Sequence, residues 1–472
     1  MGKFAWNLKY RALTAAIFAP VFAFGVQSSF AQVKLTTSNE YQQGQARQPI
    51  NPNATLPSGY VSPSMPINHD NPLSANAGAE MALQGAFVEG AEWEDGFDSS
   101  AITLGSYDRT TPFISSDSIP AMGRAIAKYE RIVASGGWQR VPQVTKSLRV
   151  GMSHDTVKAL RQRLMVSGDL AAGAPITSIF DSYVDGAVRR FQLRYGLVAD
   201  GVVGKSTIEA MNVPATFRLN QLRVNLPRIQ ELQAKLENKY VMVNIPAART
   251  EVVENGHVHS RHTAVVGKKD RQTPILDSAI FEVNFNPYWT VPLSIIRRDL
   301  IPRMQKDPTY LAKNRIRIFD WHGKELQWQD IDWTTDEATQ YRFTQEPGDG
   351  NSLGHVRINF HNTHQVYLHD TPEQSLFGSG YRFHSSGCVR VQNVREFVSW
   401  LTATTTKDWS RSRVDATIRS GERLDVKLKT RIPLHMVYVT AWSHGDGLVR
   451  FRDDIYGRDG AFASPVAGGQ LQ

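Results

Sequence analysis

Residues 367–391 read YLHDTPEQSLFGSGYRFHSSGCVRV. The stretch holds the only cysteine of the chain, Cys388, between Ser385-Ser386-Gly387 and Val389-Arg390-Val391. One cysteine rules out an intrachain disulfide and a multi-cysteine metal site. Gly387 lets the backbone take a positive φ, or approach a neighbour closely, just before the thiol. Small residues beside the sulfur leave room for a substrate carbonyl, and consecutive N–H groups around Gly387 and Cys388 are placed to face an oxyanion. Arg390 adds positive charge, which favours the thiolate over a reference pKa of about 8.5. A nucleophilic cysteine also needs a base. His384 precedes Cys388 by four residues and His369 by nineteen, at the end of a strand-like run. Spacing alone does not choose between them. His361, His364 and His369, like His257, His259 and His262, have loose metal-ligand spacing, but no HExxH pattern or acidic partner supports zinc.

Outward from this stretch, strand-like runs occur at Tyr240–Ile245, His262–Val266, Ile280–Phe285, Val356–Phe360, Gln365–His369 and Met436–Ala441. They predict a mainly β domain built from residues 239–293 and 346–445. Residues 294–345 between them are a different insert, rich in Arg, Asp, Trp and Tyr and opening with a helix-like stretch, Ile295–Met304. An insert of that length is expected to cap the site. Trp289, Trp321, Trp328 and Trp333 are candidates to line it, with core packing the default for each. Further upstream the pattern is helical. Ile119–Ala134 falls in a first scaffold piece, 111–147, and a second piece, 214–238, carries leucines at helical spacing with Pro227 expected to kink it. Between them, 148–213 reads as three short helices: from Asp155 or Thr156 past Leu164, Tyr183 to Tyr195, and Lys205 to Met211.

The chain has 472 residues, 41% hydrophobic and 21% charged, which predicts two or three domains and excludes a polytopic membrane protein. Its net charge is +8, and the first 31 residues carry Lys3, Lys9 and Arg11 with no acid, leaving +5 for the remainder. That excess is thin for nucleic-acid binding and compatible with an anionic polymer such as a cell wall. Residues 1–31 have the basic, apolar and small-residue regions of a cleaved export signal, ending at Ser29-Phe30-Ala31. Residues 32–110, punctuated by prolines, are expected to be a disordered linker, and 446–472 a C-terminal tail. The expected location is the periplasm, with no stable membrane insertion after signal cleavage.

Two resemblances follow from particular residues. The spacing of Ala187, Phe191, Gln192, Gly196, Leu197, Asp200, Gly201, Gly204 and Thr207 resembles a three-helix peptidoglycan-binding domain. HDTP…SSGCVRV is similar to the signature of L,D-transpeptidases with a YkuD-type catalytic domain. VNIPA (Val243–Ala247), VVGKKDRQTP (Val265–Pro274), NPYWTVPLSI (Asn286–Ile295) and NSLGHVRINFHN (Asn351–Asn362) match in order. These blocks resemble the larger Gram-negative subgroup with a capping subdomain. The resemblance implies an α+β multidomain protein and an enzyme whose nucleophile is Cys388 and whose base is His369, with His384 ranked second. It implies oxyanion or substrate contacts from Gly387, Ser386, Arg390 and Tyr367, with Arg390 equally open to a structural role. A backbone carbonyl, rather than Asp370, is expected to orient His369. The implied reaction joins tetrapeptide stems of peptidoglycan by 3→3 crosslinks through a cysteinyl thioester, without metal or cofactor, and sensitivity to carbapenems follows. The same thioester could pass to water, a free D-amino acid or a protein lysine. The expected partners are peptidoglycan stems and glycan, with an outer-membrane or wall-synthesis protein as a further candidate. A non-catalytic wall-binding scaffold and a papain-like amidase are the competing classes. The amidase order of Cys before His is reversed here.

Overall fold

The computed structural model describes residues 110–403 and 409–460. The expected signal, and the expected linker apart from Thr110, lie outside the described residues. The first helix, α1 (Ser118–Ala134), buries Met122, Ala125 and Tyr129 on one face. Helices α2 (Thr156–Ser167), α3 (Ser182–Arg194) and α4 (Lys205–Met211) follow. Asp181 caps α3 by accepting the Val184 N–H at 3.0 Å. The Gln192 side chain then organises the turn after α3: its amide donates to Asp200 Oδ1 at 2.8 Å and its carbonyl accepts the Gly201 N–H at 2.9 Å. Gly201 has φ +74, and a Cβ there would lie 2.2 Å from Asp185 Oδ1. The FQ…DG spacing is therefore used to build the turn. Helix α5 (Ala215–Gln233) packs along α1 and keeps Pro227 inside its span.

Strands β1 (Lys239–Asn244), β2 (Arg249–Glu254), β3 (His257–Gly267) and β4 (Leu276–Phe285) open the β domain. The inserted part begins at β5 (Trp289–Thr290). It continues through α6 (Leu293–Ile295), a π-helical stretch (Ile296–Leu300), α7 (Ile301–Lys306) and α8 (Tyr310–Lys313). It ends with β6 (Ile316–Phe319), β7 (Glu325–Leu326) and β8 (Arg342–Gln345). These strands form their own sheet in the order β5-β8-β6-β7 around a core that includes Phe343, Ala338 and Trp333. The insert thus starts five residues earlier than the expected 294, because Trp289 and Thr290 pair with Gln345 and Thr344.

The main sheet resumes with β9 (Val356–Phe360), β10 (Leu368–His369), β11 (Phe383–Ser385) and β12 (Val389–Val391). Helices α9 (Val394–Ala403) and α10 (Arg411–Arg419) and strand β13 (Leu424–Val437) complete the domain. The order is β11-β3-β12-β10-β9-β4-β13-β1-β2, and β2 also pairs with β3, so the sheet closes on itself. Val243, Val283, Ile358, Leu368 and Val389 fill the interior. Three expectations need correction. β2 was not anticipated, because its Arg-Thr-Glu-Val-Val-Glu sequence lacks an apolar alternation. Of the expected strand Met436–Ala441, only Met436 and Val437 are strand before the chain leaves the sheet; they end β13, whose outer half is disguised by Lys427, Lys429 and Arg431. The expected tail contains a hairpin strand: β14 (Ala441–Ser443) and β15 (Val449–Phe451) pair, and Trp442 and Phe451 enter the helical core.

Candidate active site

Register and pleat decide what meets in the cleft. Strands β10 and β12 are parallel, with Leu368 opposite Val389 and His369 opposite Arg390. Leu368 and Val389 are buried in the closed sheet. Side chains alternate along a strand, so Tyr367, His369, Cys388 and Arg390 all point to the other face. On the far side of β10, Arg357 pairs with His369 and extends the same row. Cap residues Trp289, Val291, Ile295 and Leu300 close over this row and form a cleft of about 240 Å³ with Tyr367, His369, Cys388 and Arg390 in its lining.

His369 is buried, and its Nδ1 is hydrogen-bonded to the backbone carbonyl of Asp370. A carbonyl only accepts, so Nδ1 carries the proton and Nε2 keeps its lone pair. The expected carbonyl is therefore in place. The Asp370 carboxylate turns away. It accepts the His355 N–H at 3.0 Å and fills the space where a Cβ on Gly354 would lie, 2.4 Å from its Oδ2. Asp370 thereby ties the end of β10 to the loop that carries Ser352 and Leu353 into the cleft.

Gly387 has φ +115, the first of the two roles open to a glycine before Cys388. Its carbonyl accepts from Thr273 Oγ1 at 2.9 Å, and its N–H donates to Ser385 Oγ at 3.2 Å. Ser385 Oγ donates in turn to the Cys388 carbonyl at 2.5 Å. Ser386, which resemblance had marked, is exposed, and its hydroxyl meets Arg271 at 3.0 Å. The backbone N–H and hydroxyl of Tyr367 favour the Cys388 thiolate, and Trp289 acts in the same sense on the Tyr367 hydroxyl from the cap. Burial pushes the Cys388 thiol up to about 11, against the smaller opposing effects of Tyr367, Arg390 and Arg357. Burial, with Arg390 second, pushes His369 down to about 3. The expected stabilisation of the thiolate by Arg390 is thus outweighed by desolvation. Arg390 itself is ion-paired with Glu373.

The other sequence candidates separate. His384 reaches the cleft lining, but its Nε2 is engaged with the Tyr381 carbonyl at 2.9 Å. Trp289 lines the cleft, whereas Trp333 and Trp328 pack in the cap core and Trp321 is exposed. Sequence reading missed Lys268, Arg271, Asp299, Ser352 and Glu373 as lining residues. Arg271 lay inside the VVGKKDRQTP block, which was the available signal. Among the described residues, no helix is long and apolar enough to cross a membrane.

Comparison with known proteins now bears on this site. Residues 238–415 match the family model described as an L,D-transpeptidase catalytic domain, and residues 153–211 match the model of a peptidoglycan-binding domain. This chain carries an L,D-transpeptidase catalytic domain and a peptidoglycan-binding domain. A curated Haemophilus influenzae protein, named "Putative L,D-transpeptidase", is 33% identical over 220 residues. That match covers 46% of this chain and spans less than half, 44%, of the relative. Among solved structures, an L,D-transpeptidase from Mycobacterium smegmatis is 16% identical, covering 42% of this chain and 58% of its own, with a TM-score of 0.21. One from Xylanimonas cellulosilytica is 17% identical, covering 63% of this chain and 100% of its own, also at 0.21. The assignment rests on the family models. The residues matched to the transpeptidase model supply every strand of the closed sheet except β13, and the Tyr367–His369–Cys388–Arg390 row. The peptidoglycan-binding domain supplies α2, α3 and α4.

Proposed function

We propose that this protein is a cysteine L,D-transpeptidase of the periplasm that crosslinks peptidoglycan tetrapeptide stems. The observation that carries the reading is the single row of Tyr367, His369, Cys388 and Arg390, with His369 Nδ1 held by the Asp370 carbonyl. In the resting site thiol and imidazole are both neutral. As Cys388 Sγ attacks the carbonyl of the L-centre of diaminopimelate, its proton passes to His369 Nε2. The developing oxyanion is met by backbone N–H groups near Cys388 and by the Tyr367 hydroxyl. Collapse breaks the peptide bond to terminal D-Ala, which leaves with the proton from His369, and a thioester remains on Cys388. The side-chain amine of a second diaminopimelate then attacks, passes a proton through His369, and expels the thiol. The product is a 3→3 crosslink. Family membership, the cap over the cleft and a wall-binding module on the same chain support this substrate class.

Intact-protein mass spectrometry after acid quench tests the acyl step. Incubation with a disaccharide tetrapeptide should add the mass of the stem minus D-Ala, located at Cys388. The Cys388→Ala protein should add nothing. D-Ala release without a Cys388 adduct in any quench would sink the thioester.

A further inference from the structure

The cleft holds cationic groups that the mechanism above leaves unused. Lys268 and Arg271, from the turn after β3, line the cleft together with Cys388, Arg390 and Glu373. Arg271 Nη1 pairs with Asp299 Oδ2 at 2.5 Å and also donates to Ser386 Oγ at 3.0 Å. Asp299 belongs to the cap, on its π-helical stretch. Such a one-residue change of helical phase recurs at functional sites. The pair therefore spans the cleft, from the barrel turn to the cap, two residues from the nucleophile.

Its geometry is incomplete. A guanidinium binds a carboxylate best through two parallel N–H groups. Here Asp299 takes Nη1 alone. The buried Nε has no hydrogen-bond partner, and its nearest carboxylate, Asp270, stands at 3.6 Å. Lys268 is exposed, and among the described residues its ammonium has no acidic partner. A half-used guanidinium, an unpaired ammonium and a carboxylate supplied by a separate subdomain describe a carboxylate site filled by an internal stand-in.

We propose that Arg271 and Lys268 form a carboxylate subsite on the cap side of Cys388. Asp299 occupies it while the cleft is empty, and a free carboxylate of a peptide stem displaces Asp299. The inference rests on the proposed function. Because Asp299 is part of the cap, the exchange also releases a tie between cap and barrel, so stem binding and cap opening are linked. Next to the scissile bond the stem offers two such groups, the carboxylate of its terminal residue and that of the diaminopimelate side chain.

Calorimetry on the full-length Cys388→Ala protein tests this. The probes are the tetrapeptide stem as free acid, as terminal carboxamide, and as diaminopimelate carboxamide. Asp299→Asn removes the competitor and should tighten the free acid roughly three- to tenfold, leaving one of the two amides unmoved. That amide identifies the carboxylate. Arg271→Lys, which keeps the charge but not the fork, should weaken the free acid about tenfold and bring it level with that amide. Equal binding of the acid and both amides, or weaker acid binding by Asp299→Asn, would overturn the subsite. Thioester formation at native Cys388 is read separately. Discrimination without chemistry would fail the transpeptidase reading and keep the subsite, whereas chemistry without discrimination would do the reverse.

Discussion

At the scale of single residues the decisive quantity is the protonation of Cys388 and His369. A thiol near 11 is about one part in ten thousand thiolate at neutral pH, and an imidazole near 3 stays neutral there. Proton transfer must therefore accompany bond formation. Alkylation of Cys388 by iodoacetamide should be slow at pH 7 and still rising beyond pH 10. A midpoint at or below the ordinary 8.5 would contradict this account. His369→Ala should lower turnover by at least about a hundredfold with an unchanged circular dichroism spectrum. His384→Ala should change it less than about twofold, because that ring already serves the Tyr381 carbonyl. Equal losses from both variants would remove the case for His369. Cys388 and Gly387 stood out in the sequence from their own chemistry, whereas His369 was separated from His384 only by resemblance. The direction of the thiol shift was not legible. Arg390 is visible as a letter, but the burial that outweighs it exists only once the fold has formed the cleft.

At the scale of elements, the turn from Gly267 to Thr273 supports the loop that carries Cys388. Thr273 Oγ1 accepts the Gly267 N–H at 2.8 Å and donates to the Gly387 carbonyl at 2.9 Å. Tyr456 closes the arrangement, donating its hydroxyl to the Gly267 carbonyl at 2.5 Å and accepting the Thr273 N–H at 3.3 Å. Thr273→Val should cost about 1–3 kcal/mol, because it strands the buried Gly387 carbonyl and Gly267 N–H. Turnover should fall with it, and Thr273→Ser should restore both stability and turnover. Thermal melting and turnover of the three proteins check this, and a Thr273→Val protein as active and stable as the native one would contradict it. The threonine was legible as part of a sequence block. Tyr456 was not, since it falls in the stretch read as a tail. Strands as short as β14 and β15 give too little alternation to detect. Helices α1 and α5 were legible because their apolar spacing lasts several turns, and α4, of seven residues, because Gly204 marks its start.

At the scale of the molecule, the peptidoglycan-binding domain is joined to the rest through buried arginines. Arg194 is fully paired with Asp169 inside the protein and also donates to the Val449 carbonyl of β15. Arg163 lies 3.8 Å over the Trp138 ring. Asp169→Asn leaves the Arg194 charge unpaired and Arg194→Met leaves the Asp169 carboxylate unpaired, so each should cost about 3–5 kcal/mol, whereas the double variant removes both charges and should cost less than the sum of the two. Differential scanning calorimetry of the three proteins checks this, and strictly additive losses would contradict the account. Hydropathy patterns assign arginine to the surface, so this junction was hidden in the sequence although the three helices it holds were not. The arrangement as a whole, a peptidoglycan-binding domain fixed to a capped thiol site, makes one product the central claim. The measurement that tests it most directly is the linkage of dimers formed from purified disaccharide-tetrapeptides, sequenced by tandem mass spectrometry, with native protein beside Cys388→Ala. The account predicts 3→3 dimers and one D-Ala released per dimer, from the native protein only. Release of D-Ala with monomeric tripeptides as the sole product, or dimers that persist in Cys388→Ala, would contradict it.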